Sequence, residues 1–157
     1  MKSSPNSDGS PNSGSPSPPP RLPLVAEERV RYAETDQMGV AHHRHHFVWF
    51  EVGRTEFARR YGFPYLEIET RGLRLVVVEA ACRYRRPLLY DDVVLIHAGL
   101  REVSARKIVF EYRLVKKADG ELAATGHTVH VVTDARGRTS SLPEDILRLV
   151  KSAVTPA

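Results

Sequence analysis

The stretch YAETDQMGVAHHRHHFVWFEVGRTEF, from Tyr32 to Phe57, gathers the residue types best suited to chemistry. Asp36 stands in a turn, with Gly39 to let the chain reverse tightly, just ahead of a segment with helical periodicity. The first amides of a helix have no partner within it and carry the positive end of its dipole. They are a prepared site for developing negative charge, such as the oxyanion formed when a carbonyl is attacked. A carboxylate beside them, with histidines at the helix entrance, supplies the parts that acyl transfer needs. The plainer use of such an aspartate is commoner. Its short side chain caps a helix or closes a turn by accepting bonds from nearby amides.

Other candidates are weaker. His42, His43, His45 and His46 put four histidines in five residues. His42 and His46 are four apart, as paired metal ligands on one helix face are, but no Glu lies between them and no third ligand follows. No metal site is therefore expected, and His42, His45 and His46 read as a solvent-facing cluster. His97, His127 and His130 fall in strands and read as packing or surface positions. Arg83, Arg85, Arg86, Arg101, Arg106 and Lys107 form the basic part of the chain, suited to phosphates or to a charged sheet face. Glu51, Arg54 and Glu56 can pair along a helix. Cys82, in an apolar strand, reads as core.

The elements that must position these residues follow from periodicity. Val30 and Tyr32 alternate as a strand over residues 27–33. Phe47, Phe50, Arg54, Phe57 and Tyr61 mark a helix over 45–61, stopped by Gly62 and Pro64. Residues 73–84 form a strand with Val76, Val78, Ala80 and Cys82 on one face. After the turn at Asp91-Asp92, strands are expected over 93–100, around 107–114 and over 122–133. Asp119-Gly120 is the hairpin turn between the last two. A short helix closes the chain over 143–150. Short connections imply antiparallel pairing, so the expectation is an α+β domain, one long helix wrapped by an antiparallel sheet.

The motif T-D-x-x-G-V-x-x-H followed by a helix reading F-E-x-x-R-T-E resembles the signature of the 4-hydroxybenzoyl-CoA thioesterase-like hotdog family. The likeness is strongest to its branch of acyl-CoA thioesterases associated with the Tol-Pal system. Thr35, Asp36, Gly39, Val40, His43, Phe50, Glu51, Arg54, Thr55 and Glu56 carry it. The stretches VVEAACRYRRPLLYDD and ATGHTVHVVTD, then Leu142-Pro143, extend the likeness over about residues 27–150. The resemblance implies a five-stranded hotdog fold, dimers joined sheet edge to sheet edge, and in some members tetramers. It implies an acyl-CoA substrate and no cofactor beyond the coenzyme A carried by that substrate. Asp36 then acts as nucleophile or general base, the backbone amide at position 43 polarises the thioester carbonyl, and the His43 side chain orients water or the aspartate. Gly39, Arg85 and Arg86 are expected to bind substrate. His42, His45 and His46 replace the aromatic, Asn and Tyr usual at those places.

Composition bounds the rest. The chain has 157 residues, 27% of them charged, a net charge of +4 and a single cysteine. That is one domain without a disulfide framework, fitting the cytoplasm. Seventeen of the first twenty residues are Ser, Pro, Gly or Asn. Residues 1–24 accordingly read as a disordered tail without a signal peptide's apolar segment, and 25–157 as the domain. No apolar run is long enough to span a bilayer. Nucleic-acid binding would need aromatics interleaved with a basic face, whereas the Tyr and Phe here take core positions. A non-catalytic module holding acyl-CoA or an acyl carrier is the main alternative, and a hotdog dehydratase a lesser one.

Overall fold

The computed structural model describes residues 22–154. Its strands are β1 (Leu24–Arg29), β2 (Leu73–Tyr84), β3 (Val93–Val103), β4 (Lys107–Lys116) and β5 (Leu122–Asp134). The helices are α1 (Arg44–Arg60), α2 (Tyr65–Thr70) and α3 (Glu144–Ser152). All strands pair antiparallel in one five-stranded sheet of order β1-β3-β4-β5-β2. Alternation explains the sheet's inner face. Ile108, Phe110, Tyr112 and Leu114 of β4 point one way and are buried, together with Val94, Ile96, Ala98 and Leu100 of β3. They bury against Trp49, Phe50, Phe57 and Ala58 of α1. The expected α+β architecture, a sheet wrapped on one long helix, is the one observed.

Two close approaches seat that helix. Gly53 lets α1 lie on β3, since a Cβ there would stand 2.8 Å from Ile96 Cγ2. Gly126 of β5 leaves room for the Phe50 ring, which stacks on Tyr112 with centroids 4.4 Å apart.

Several local expectations are corrected. The first strand lies at 24–29, not 27–33, and Leu22 is already buried. Tyr32–Glu34 winds into a 3-10 turn because the buried Glu34 carboxylate accepts the Arg31 amide at 2.7 Å and its guanidinium at 2.9 Å. The tail before residue 22 lies outside the described residues. In β2, a bulge between Val77 and Glu79 resets the alternation. Val77, Ala80, Cys82 and Tyr84 therefore share the face toward α1, and Val76 does not. Helix α2, with Ile68 buried, has no counterpart in the sequence reading.

Candidate active site

Each part of the site has a local cause. Asp36 heads a tight turn: its amide donates to the Val40 carbonyl and the Gly39 amide to the Asp36 carbonyl, both at 2.9 Å. Gly39 takes φ +78°, a conformation costly for any residue with a side chain. The Met38 amide donates to Asp36 Oδ1 at 2.8 Å, so one carboxylate oxygen holds the turn and the other is uncommitted. The turn is fastened to the chain beyond β2, with the Ala41 amide donating to the Leu88 carbonyl at 2.7 Å. That strap brings Arg85, Arg86, Pro87 and Leu88 beside Asp36.

Helix α1 then starts at His43, which caps it without any side-chain bond. Among the described residues no acceptor engages the His43 amide, whereas the Arg44 amide meets His42 Nδ1 at 3.3 Å. The free amide thus sits at the positive end of the helix. Asp36, His43, Arg85 and Arg86 line one cavity of about 310 Å³, walled by Val40, Ala41 and Leu88. Gly39 shapes the turn without lining the cavity. Arg86 is also bound to Glu121 at 3.1 Å. The other basic residues are elsewhere. Arg83 and Arg101 lie on the outer face of the sheet, and Lys107 pairs with Glu102 at 2.6 Å. Among the described residues no three His, Cys, Asp or Glu side chains stand together as a metal site.

Two residues that line the cavity escaped sequence reasoning. His46 was expected at the surface, but it is 4% exposed and lines the cavity. Its spacing of three from both His43 and Trp49 is the helical signal that could have placed it there. It packs edge-on against Tyr84, ring centroids 4.7 Å apart, and against Trp49 at 5.1 Å. Tyr84 lines the same cavity and its hydroxyl donates to the His43 carbonyl at 3.0 Å, tying the helix start to β2. On this geometry Tyr84 is expected to position the helix start. Tyr84→Phe is expected to lower kcat about three- to tenfold, the worth of one hydrogen bond. KM should stay within about twofold and Tm nearly unchanged. An unaltered kcat would contradict the role.

Burial pushes the His46 imidazole down to about 4, and that of His130 likewise. His130 is fully buried in the core with Nε2 on Thr128 Oγ1 at 2.8 Å. Both groups take up protons more readily in the unfolded chain, where histidine titrates near about 6.5. Their stability contribution is therefore complete above that pH and is lost as pH falls toward 4. Two such groups give a slope of up to about 2–3 kcal/mol per pH unit in that window. The urea midpoint should drop clearly between pH 7 and pH 5, with a flatter drop in His130→Asn. Equal midpoints would contradict this.

Asp36 and His43 thus line one cavity at the start of the long helix that the antiparallel sheet wraps. Residues 30–150 match the Thioesterase-like superfamily, and the chain belongs to it. Hypothetical protein TT1821 from Thermus thermophilus is 39% identical, with a TM-score of 0.78 over 83% of this chain and 99% of that one. The DHNA-CoA thioesterase from Staphylococcus aureus is 28% identical, with a TM-score of 0.76 over 81% and 87%. The acyl-CoA thioester hydrolase YbgC of Escherichia coli O6:H1 is 26% identical over 119 residues, 76% of this chain and 89% of that one. The fold is the hotdog fold, and the chain is a thioester hydrolase.

Proposed function

We propose that the protein hydrolyses acyl-CoA thioesters with Asp36 as its catalytic carboxylate. The observation that carries this reading is the pairing of Asp36 with the unengaged His43 amide at one cavity. As nucleophile, an Asp36 oxygen adds to the thioester carbonyl and coenzyme A leaves as thiolate. Water then cleaves the mixed anhydride, releasing the acid and restoring the carboxylate. As general base, Asp36 takes a proton from water while the hydroxide adds to the carbonyl and the thiol departs. In both routes the His43 amide holds the oxyanion. The His43 side chain at the mouth orients water or Asp36. Gly39 keeps the turn tight, and Arg85 and Arg86 meet the substrate as it enters. No cofactor or metal takes part beyond the substrate's own coenzyme A, and no nucleic acid is bound. On this reading the protein works in the cytoplasm and is akin to the thioesterases associated with the Tol-Pal system.

The test is thiol release from a panel running from acetyl- to palmitoyl-CoA, with benzoyl- and phenylacetyl-CoA added. Turnover of some members is expected. Binding without turnover on every member would instead make the chain an acyl-CoA or acyl-carrier binding module.

The reading includes a dimer. Among the described residues β2 pairs only with β5, so its other edge offers unpaired backbone groups, and Val76, Val77 and Val78 beside it are 41, 43 and 56% exposed. Long apolar edges of this kind are normally blunted or covered. Pairing β2 with β2 of a second copy satisfies both edges, and two dimers can join as a tetramer. Val77→Arg is expected to convert the assembly to monomer in sedimentation and to lower activity. A wild-type monomer at micromolar concentration would contradict the dimer.

A further inference from the structure

Glu34 is a buried carboxylate two residues ahead of Asp36. Taking a carboxylate out of water is costly unless its oxygens find partners. Two of the partners here are local: Oε2 accepts the Arg31 amide at 2.7 Å and Oε1 the Arg31 guanidinium at 2.9 Å. The third is not. His45, on the first turn of α1, places Nδ1 3.9 Å from Glu34 Oε1 with its side chain largely covered. Its other ring nitrogen, Nε2, accepts the Arg44 Nε–H at 3.4 Å, which leaves the ring proton on Nδ1, facing the carboxylate. Burial opposes the Glu34 charge, but the Arg31 amide and guanidinium outweigh it and hold the carboxyl below its usual range. Burial also holds the His45 imidazole below its ordinary value, with Glu34 opposing this and Arg44, His42 and Arg31 adding to it. At neutral pH the contact is therefore between a carboxylate and a neutral N–H.

The backbone shows what this contact joins. The His42 amide donates to the Glu34 carbonyl at 2.8 Å and the Asp36 amide to the Val40 carbonyl at 2.9 Å, closing a short hairpin around the Asp36 turn. On one side the bond from Ala41 to Leu88 ties that hairpin to the chain beyond β2. Toward α1 it is held by the His45 amide on the His42 carbonyl at 3.0 Å and by Glu34 on the His45 ring. Both fix the direction in which His43 leaves the hairpin. The Ala41 and His42 amides are taken by Leu88 and Glu34, so the next one along, at His43, is the first left unengaged. If Glu34 served the 3-10 turn alone, Arg31 would suffice and His45 would be dispensable.

We propose that Glu34 is a positioning residue of the candidate active site, its buried carboxylate clamping the Asp36 hairpin to the first turn of α1 through His45. The proposal rests on the acyl-CoA reading above and adds what keeps the Asp36 carboxylate and the His43 amide in fixed relation. A displacement of about 1 Å at a positioned group can cost about 100-fold in rate, so a contact one step removed from the chemistry has a large lever on it.

The experiment follows acyl-CoA hydrolysis and backbone amide hydrogen exchange in wild type, His45→Leu, His45→Asn, Glu34→Gln and the Glu34→Gln/His45→Leu double variant. His45→Leu removes the ring N–H while keeping bulk, and His45→Asn returns an N–H donor. In His45→Leu and in Glu34→Gln kcat should fall at least about tenfold, with KM within about twofold. His45→Asn should stay within about threefold of wild type. The double variant should be no slower than the worse single one, since both substitutions break one contact. Exchange of the hydrogen-bonded Asp36, His42 and His45 amides should quicken about tenfold in His45→Leu, while β3 and β4 keep their protection. Full activity in His45→Leu, losses that multiply in the double variant, or His45→Asn as slow as His45→Leu overturns the proposal. So does a loss of rate with unchanged exchange, or with β3 and β4 loosened equally. Should Glu34→Gln not fold, the two His45 variants decide by the same criteria. If wild type cleaves no acyl-CoA, the catalytic reading fails by itself. Exchange still decides the clamp, because unchanged protection of those three amides in His45→Leu overturns it.

Discussion

Asp36→Asn is expected to lower kcat for acyl-CoA hydrolysis about 100- to 10,000-fold, the range for removing a positioned acid–base group. The substitution isolates chemistry from folding. The side-chain oxygen that accepts the Met38 amide has its counterpart in the asparagine carbonyl, so the turn keeps its bond. The turn's own backbone bonds between Asp36, Gly39 and Val40 do not involve the side chain at all. What disappears is the uncommitted carboxylate oxygen of a residue that lines the same cavity as His43. An amide neither attacks a thioester nor takes a proton from water near neutral pH. KM should therefore stay within about threefold, because the cavity walls and helix terminus remain, and Tm should move little.

Gly126→Ala should cost about 1–3 kcal/mol, the usual penalty for overfilling a packed core. The corresponding fall in Tm is about 5–10 °C. Gly126 faces the core on β5, and a Cβ there would enter the Phe50 ring and stand 2.5 Å from the Ala81 carbonyl oxygen. Neither neighbour yields easily. Phe50 is fully buried and stacked on Tyr112, with interplanar angle 9°, and Ala81 is paired in β2. The strain reaches the site, because Phe50 lies on the first turns of α1, one turn beyond His46. Activity is expected to fall along with stability. Phe50→Leu in the Gly126→Ala background should recover part of the loss, whereas alone it destabilises by leaving a cavity. Additive effects of the two substitutions would show that the predicted collision is absent.

What the sequence discloses follows from how local each signal is. The α1 stripe and the β4 alternation repeat within single elements, and both elements were legible. Asp36 and Gly39 were legible because a turn ahead of a helix is read from adjacent residues. His46 was not. Its polarity argued for solvent, and only Tyr84, 38 positions away in β2, reveals that it is covered. The basic residues show the same limit. Charge alone could not divide Arg83 from Arg85 and Arg86, yet the end of β2 sends Arg83 to the outer face of the sheet and its neighbours to the Asp36 cavity. Val30 and Tyr32 imitated a strand, but a carboxylate capturing the Arg31 amide won over alternation and left Tyr32 79% exposed. At six residues, α2 is too short to show a period. The bulge in β2 leaves no mark that residue types alone could supply.

The most direct measurement is single-turnover thiol release from a bound acyl-CoA, with wild type and Asp36→Asn in excess over substrate. Wild type is expected to release one thiol per bound ester, and Asp36→Asn to bind the same ester and release essentially none over that interval. Release by the variant within about threefold of the wild-type rate would remove Asp36 from the chemistry and contradict the account.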